Sequence, residues 1–308
     1  MKTIKNSMIA LYEKILSSEA IMEKRYKEGH DSPLIIMNSE DTLNYIIDKK
    51  CSVSRFGEGE LELILHSDID LGFQQRNALL SESLKRVLVS DEENLLICLP
   101  IALNTIKGRT KHSRQFWYYW SNYDNQREKT EALVRSMCSD DKVFGDTQIS
   151  RPYIAFKESN HAKNIFLLLK KIWNHRELLL VEGELTRLGV GNDMFANARS
   201  IKRILCPARD AFDYYQRILQ SVLQHWNGEL VLLALGPTAT VLAADLSRYG
   251  IQAIDIGYLD IEYEWYLSGA DEHNKIKGKY TNEAQNGFQV EECNDLQYLK
   301  SIIDKVGN

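Results

Sequence analysis

The feature that most constrains the fold is a repeated order of short apolar runs, each followed by an amphipathic stretch with helical spacing. Apolar residues recur every three or four positions over 162–173 and 211–226. Continuous apolar runs are typical of parallel strands covered on both faces. The alternation predicts an α/β fold with a mostly parallel sheet and helices on both of its faces. The predicted strands are CSVSRF, NLLICLP, KVFGD, ELLLVEG, KRILCP, ELVLLALG and IQAIDIG.

The 308 residues contain no repeat, low-complexity tract or strong linker, so one main domain is expected. Residues 1–40 are predicted to be an N-terminal helical extension, and the apolar positions within 8–16 follow helical spacing. The main domain is expected to cover 41–270. A C-terminal helical segment, 271–308, is expected to pack on it, with CNDLQYLKSIIDKV as its helix.

Composition argues against several classes of function. The net charge of −5 lacks the basic excess typical of nucleic-acid binding, and no apolar run is long enough to span a bilayer. Glu13 and Lys14 interrupt the N-terminal stretch where a signal peptide would be apolar. The five separated cysteines are expected to be reduced thiols, most of them buried. A cytoplasmic location is therefore expected.

Ligands of parallel sheets bind beyond the carboxyl ends of the strands, so the residues that follow each strand matter most. After the first strand, Arg55 and Gly57 precede Glu58 and Glu60, and a helix is expected to begin near Leu61. Two carboxylates two residues apart could face one Mg²⁺ or Mn²⁺, with phosphates and water completing its shell. Alternatively, glutamates in a first turn simply stabilise the helix dipole.

A second strand end is followed by ELTRLGVGND, whose arginine could clamp a diphosphate and whose glycines allow a close backbone approach. The alternative is an internal ion pair of Arg187 with Glu182 or Glu184, holding a surface loop. The residues of this region predicted to contact a nucleotide-sugar are Glu182, Arg187, Gly189, Gly191 and Asn192.

A third strand end, LALGPTAT, predicts a helix N-terminus suited to a phosphate, or else an ordinary strand-to-helix turn. Its residues are Gly236, Pro237, Thr238 and Thr240. Arg151, in SRPY, could present its guanidinium to a base or phosphate.

Acids among aromatic residues follow the last predicted strand. Asp260 and Glu262 suit sugar binding and general-base work, although acids at alternate positions can equally form the solvent face of a strand. The basic run 107–114, followed by QFWYYW, could be an acceptor-binding surface or a solvated loop before an amphipathic helix.

Four segments, in order across residues 40–267, resemble the GT-D type glycosyltransferases, a family also known as DUF1792: SVSRFGEGELELI, GDTQISRPYI, VEGELTRLGVGNDMFANARSIKRILCPARDAF and LALGPTATVLAADLSRYGIQAIDIGYLDIEYEW. The resemblance implies a Rossmann-like fold that transfers a sugar, typically glucose, from a UDP-sugar to a growing glycan. Family acceptors include glycans of serine-rich repeat adhesins in Gram-positive bacteria. The family's DxE motif for Mn²⁺ falls on Glu58-Gly59-Glu60, with Glu in place of Asp, and Tyr258 stands where relatives often have His.

Taken together, these features predict a UDP-sugar-dependent hexosyltransferase that uses Mn²⁺ or Mg²⁺ and a glycan or glycopeptide acceptor. Arg55, Arg151 and Arg187 would stabilise the departing diphosphate. Asp260 is the first choice for the catalytic base, with Glu262 and Asp193 behind it. The alternatives are a non-catalytic nucleotide-sugar-binding subunit and a metal-dependent phosphohydrolase. The sequence leaves the oligomeric state open, a homo-oligomer included.

Overall fold

The computed structural model describes residues 19–28, 33–66 and 71–307. Within these ranges nine strands form one sheet in the order β1-β4-β3-β2-β8-β7-β5-β6-β9. Every pairing between neighbouring strands is parallel. The strands are β1 (Ile35–Ile36), β2 (Ser52–Arg55), β3 (Leu95–Leu99), β4 (Val143–Asp146), β5 (Glu177–Gly183), β6 (Ser200–Cys206), β7 (Leu230–Ala234), β8 (Ala253–Asp255) and β9 (Ile302–Lys305).

Helices fill the connections between the strands. They are α1 (Glu19–Lys27), α2 (Ser39–Lys49), α3 (Glu58–Leu65), α4 (Ala78–Leu88), α5 (Lys111–Asn122), α6 (Gln126–Met137), α7 (Ser159–Ile172), α8 (Tyr215–His225), α9 (Pro237–Arg248), α10 (Leu259–Ser268) and α11 (Leu296–Ser301). Short 3₁₀ turns occupy Ile101–Leu103, Tyr123–Asn125, Thr147–Ser150 and Ala211–Tyr214. Among the described residues, no helix combines the length and the apolar character needed to cross a bilayer.

The sheet carries a hydrophobic core on each face. Alternate side chains of β5 take opposite sides: Leu179 and Val181 join one core, and Leu178 and Leu180 join the other. Helices α3, α4, α5, α8 and α9 cover the first face, and α2, α7 and α10 cover the second. Because both faces are buried, β3 and β7 are apolar at every position, as the sequence indicates.

The strand order places two changes of direction near the middle of the sheet. From β2 the chain continues to β3 on one side, whereas β8 lies on the other side of β2. In the same way, β6 and β7 lie on opposite sides of β5. The connections therefore diverge at these points and leave a crevice above the carboxyl ends of the strands. The residues that follow β2, β5, β7 and β8 are brought together there.

All seven predicted strands and both helical patterns are confirmed, but the terminal regions differ from the predictions. β1 adds a strand inside the predicted N-terminal helical extension and pairs with β4. The predicted C-terminal helix is wrong beyond Ser301: Ile302–Lys305 forms β9, which pairs with β6. An edge strand gains its backbone hydrogen bonds from a distant partner, which helical spacing in a single segment does not reveal. The helical pattern predicted within 8–16 lies outside the described residues.

Candidate functional site

A cleft of about 450 Å³ opens above the carboxyl ends of the central strands. Its walls come from the residues that follow β2, β4, β5, β6, β7 and β8, so it lies at the position expected for a ligand of a parallel sheet. Six of the predicted site residues line it: Arg55, Gly57, Glu58, Glu60, Arg151 and Gly236.

The two glutamates predicted to bind a metal lie in the first turn of α3, which begins at Glu58 and not near Leu61 as expected. Gly57 precedes the helix, and its backbone N–H donates to Glu60 Oε2 at 2.7 Å. This bond satisfies one of the free N–H groups of the helix start, which explains why the helix begins early. Both side chains are half-buried, and both line the cleft.

The electrostatics of this turn suit a cation. Burial, followed by the nearby carboxylates of Asp255 and Glu58, raises the pKa of Glu60 to about 7. A divalent ion would offset this crowding of negative charge. Among the described residues, no cluster of three or more His, Cys, Asp or Glu side chains is arranged to hold a metal. Glu58 and Glu60, which line the cleft beside Arg55, are the residues that would hold an ion sharing oxygens with a diphosphate and with water, as Mg²⁺ does at nucleotide sites.

Arg55, at the end of β2, is held rigidly beside these acids. Its Nε donates to the Asp255 carbonyl at 2.9 Å, its Nη2 to Asp255 Oδ1 at 3.1 Å and its Nη1 to the Thr147 carbonyl at 3.1 Å. Gly257 lies against the guanidinium with a φ of +44°, where a Cβ would come within 3.0 Å of Arg55 Cζ. Only glycine leaves room for the arginine at this point.

Arg151 brings a second guanidinium into the cleft from the segment after β4. Its Nη2 contacts both carboxylate oxygens of Glu283, at 2.6 and 2.7 Å, and its Cζ lies 5.0 Å from the ring centre of Tyr258. Burial acts to lower the pKa of Arg151, but the carboxylates of Glu283 and Glu262 outweigh it and hold that pKa above its usual value. The guanidinium stays charged, as an anion site requires.

At the start of α9 only Gly236 lines the cleft. Its φ of +56° belongs to the region that favours glycine, and a Cβ there would approach Phe73 to 2.8 Å. Pro237 is the first residue of the helix, as its fixed φ favours. Thr240 is fully buried and donates from Oγ1 to the Arg55 carbonyl at 2.8 Å, and Thr238 is fully buried as well. This placement favours structural roles for both threonines.

In the loop after β5, Thr186 lines the cleft, but none of the residues predicted there to contact a nucleotide-sugar does. Glu182 is buried against Arg203, and Glu182 Oε2 accepts the Leu188 N–H at 2.6 Å. Arg187 instead donates to the Gly278 carbonyl at 2.7 Å, and Glu182 pairs with Arg203, so the alternative of an ion pair between Arg187 and Glu182 does not hold. Gly189, Gly191 and Asn192 line a separate hollow of about 630 Å³ next to α11.

The three predicted bases do not line the cleft, although Glu262 lies 3.7 Å from Arg151, and two of them are on helix α10, not on a strand. Asp260 is buried, accepts the Gly189 N–H at 2.9 Å and pairs with Lys279 at 2.6 Å. Glu262 is buried and accepts two backbone N–H groups, those of Tyr153 and Ile154. Asp193 is an exposed side chain that pairs with Lys170 at 2.9 Å. These contacts favour structural roles.

Several cleft residues are not among those predicted from the sequence. They are Glu62, Phe73, Phe116, Arg209, Tyr258, Tyr280 and Glu283. The sequence spacing could have indicated Glu62, since it lies one turn after Glu58 on the same helix face. No feature of the local sequence indicated Glu283, which contacts Arg151 across 132 positions of sequence.

The basic run 107–114 is not a solvated loop throughout, because Arg109 and Arg114 are buried. Arg109 Nη1 donates to Gln148 Oε1 at 3.0 Å. Three of the five cysteines, Cys51, Cys98 and Cys206, are buried, and all five are free thiols.

Comparison with known proteins agrees with this architecture. The family model described as "Glycosyltransferase GT-D fold" matches residues 53–284. The chain belongs to the GT-D family. A solved structure described as the highly conserved domain of unknown function 1792 with a distinct glycosyltransferase fold is 36% identical, with a TM-score of 0.81 over 94% of this chain and 100% of that chain. Another, a glycosyltransferase (DUF1792) from Streptococcus sanguinis, is 34% identical, with a TM-score of 0.80 over 89% of this chain and 100% of that one.

Two curated relatives are similar to this GT-D chain over 286 residues, which is 92% of its length. "Probable glycosyl transferase Gly" of Streptococcus gordonii is 35% identical, and "Glycosyltransferase GlyD" of Streptococcus pneumoniae is 36% identical. The chain spans 41% of the first relative and 34% of the second. The similarity therefore concerns one part of longer proteins.

Proposed function

We propose that this chain transfers a hexose, with glucose as the first candidate, from a UDP-sugar to a hydroxyl of a growing glycan. The observation that carries the proposal is the cleft itself, where Arg55, Arg151, Glu58 and Glu60 meet above the carboxyl ends of the strands in a GT-D chain. Two fixed positive charges beside two carboxylates suit a diphosphate that arrives with a divalent cation.

In this proposal the residues of the chain bind and orient the donor. Arg55 cannot swing away, since three hydrogen bonds hold its guanidinium, so it offers preorganised positive charge as the diphosphate departs. Arg151 binds the diphosphate when the diphosphate replaces Glu283 as the partner of its guanidinium. Glu58 and Glu60 would hold Mn²⁺ or Mg²⁺, which supplies Lewis-acid stabilisation of the leaving group when bound.

A glycan or glycopeptide is the proposed acceptor, with a serine-rich repeat adhesin as one candidate. The family and the names of the two streptococcal relatives support transfer to a glycan, and the adhesin comes from the family resemblance alone. Asp260, Glu262 and Asp193 stay predictions for the base, although their contacts favour structural roles. The cytoplasmic location and the homo-oligomer also stay predictions.

The test is UDP release from a panel of UDP-sugars, with Mn²⁺ or with EDTA, and with or without glycan acceptors. We expect one donor to give release that rises with acceptor and stops with EDTA. Release of phosphate without acceptor would favour a phosphohydrolase. Binding of UDP-sugar without turnover on any acceptor would favour a non-catalytic subunit.

A matched pair of variants isolates the metal prediction. Glu60→Gln removes a charge but keeps an oxygen that can accept the Gly57 N–H, so the helix start is preserved. Glu184→Gln removes a charge from an exposed glutamate outside the cleft. We expect the first variant to lose Mn²⁺-dependent turnover by at least about a hundredfold. The second should match the wild type, and an active Glu60→Gln enzyme would contradict the metal assignment.

A further inference from the structure

Helix α5 has aromatic residues on both its buried and its exposed side. Trp117 and Trp120 face the core, and only 3% and 7% of their surfaces are exposed. Phe116 and Tyr119 of α5 are 42% and 65% exposed, and Tyr123, the residue that caps its C-terminus, is 74% exposed; we call these three residues the aromatic stripe. The core is already filled by the two tryptophans, so packing does not account for the stripe. Three exposed aromatic residues at helical spacing are a candidate interaction site.

The three residues of the aromatic stripe are spaced as neighbours on one side of a helix. Their spacing of three and four residues places them on one face of the helix, and the Tyr123 N–H still bonds to the Tyr119 carbonyl. At a rise of about 1.5 Å per residue the aromatic stripe is about 10 Å long, more than a single sugar ring requires. The aromatic stripe is therefore long enough to contact more than one sugar unit. We also call it the track.

The track begins in the candidate active site, since Phe116 lines the cleft. Helix α5 is also fixed to the helix that carries the acidic pair: Trp120 Nε1 donates to Glu62 Oε1 at 2.8 Å, and Glu62 lies one turn after Glu58. A molecule that reacts in the cleft and extends along α5 would contact Phe116 first, then Tyr119 and Tyr123. Because the track is continuous with the cleft, the molecule that it binds is expected to be a substrate of the reaction in the cleft.

The chemistry of the aromatic stripe favours a glycan over other occupants. Sugar rings offer C–H faces that stack on aromatic rings and hydroxyls that bond to tyrosine O–H groups, and tyrosine is amphipathic in the same way. A second copy of the chain is disfavoured, because three aromatic side chains of about 150–250 Å² each fall short of the roughly 800 Å² per partner that a stable interface buries.

We infer that the aromatic stripe binds the sugar units of the acceptor glycan that precede the one accepting the new hexose. The inference rests on the proposed function and adds a dependence on acceptor length. Phe116 stacks on the accepting sugar at the cleft, and Tyr119 and Tyr123 stack on the units behind it. Single-sugar acceptors reach only the cleft, whereas longer ones gain both tyrosines.

The test compares N-acetylglucosamine and glucose oligosaccharides of one, two and four units as acceptors. The double variant Tyr119→Ala/Tyr123→Ala should raise the KM for the four-unit acceptors about tenfold, with kcat, the donor KM and the single-sugar KM unchanged. The double variant Tyr119→Phe/Tyr123→Phe keeps the rings and should restore most of the affinity. The control is Tyr249→Ala, which removes a tyrosine that is 60% exposed at the end of α9 and should change nothing.

Three results would overturn the inference: an unchanged KM for the four-unit acceptors, an equal loss for single sugars, or a change in oligomeric state on size exclusion. Direct calorimetric titration of the same oligosaccharides separates this inference from the proposed function. If no acceptor stimulates UDP release but the wild type binds four-unit sugars and the alanine variant does not, the proposed function fails and the track stands. Binding of an unglycosylated serine-rich peptide in place of the oligosaccharides would overturn the track.

Discussion

Replacing Gly257 with alanine should displace the Arg55 guanidinium, which should lower the stability of the protein and weaken UDP binding in the candidate site. The new Cβ would overlap the guanidinium, lying 3.0 Å from Cζ, at a backbone φ of +44° that alanine disfavours. The positive φ alone costs about 1 kcal/mol. Displacing the guanidinium leaves the buried Asp255 carboxylate without its partner, and removing one member of a buried ion pair costs about 3 kcal/mol or more.

Gly250→Ala is a control for the backbone contribution. Gly250 has a φ of +74°, and a Cβ there meets nothing within 4 Å. We expect Gly250→Ala to lower the free energy of unfolding by about 1 kcal/mol and Gly257→Ala to lower it by about 3 kcal/mol more. Urea unfolding followed by tryptophan fluorescence measures both, together with UDP affinity by calorimetry.

The two variants should also differ in their affinity for UDP. Gly250→Ala should bind UDP as the wild type does, and Gly257→Ala should bind it at least tenfold more weakly because a preorganised charge is lost. Equal losses of stability in the two variants would refute the argument that Gly257 exists to accommodate Arg55. Unchanged UDP affinity in a folded Gly257→Ala protein would remove Arg55 from the donor site.

Three other perturbations test individual charged contacts. Arg203→Met should cost about 3–5 kcal/mol of unfolding free energy, because it leaves a buried carboxylate unpaired, whereas Arg248→Met, at a pair in which both side chains are partly exposed, should cost less than about 1 kcal/mol; urea unfolding compares them. Glu283→Gln should tighten UDP binding about tenfold by calorimetry, since a neutral amide competes less well for Arg151; weaker binding would contradict this. Burial lowers the pKa of His161, so the unfolded chain binds more protons at acidic pH and stability falls there. Unfolding at pH about 7.5 and about 5 should therefore show a smaller loss in His161→Phe than in the wild type.

The central strands could be predicted because their signal is local. In β3 and β7 every residue is apolar, which follows from burial on both faces whatever the neighbouring strands are. β1 has two residues and β9 has four, and each exists because it pairs with a strand far away in sequence. Short edge strands of this kind carry too few side chains to form a periodic pattern.

The candidate site could be predicted in part, because polar residues after a parallel strand are delivered to one edge of the sheet. Arg55, Glu58, Glu60 and Arg151 are placed together by that rule alone. The same rule also selected Asp260 and Arg187, which do not line the cleft. Lys279 and the Gly278 carbonyl, both from a later segment, bind these side chains instead.

Local sequence is enough to specify the central strands, the edge where a ligand would bind and the residue types that reach that edge. Tertiary packing sets which charged groups face the cleft and which are buried against each other. Arg203 pairs with Glu182, and Arg151 pairs with Glu283, across 21 and 132 positions of sequence. A buried charge needs a partner at hydrogen-bond distance, and only the packed chain sets which partner that is.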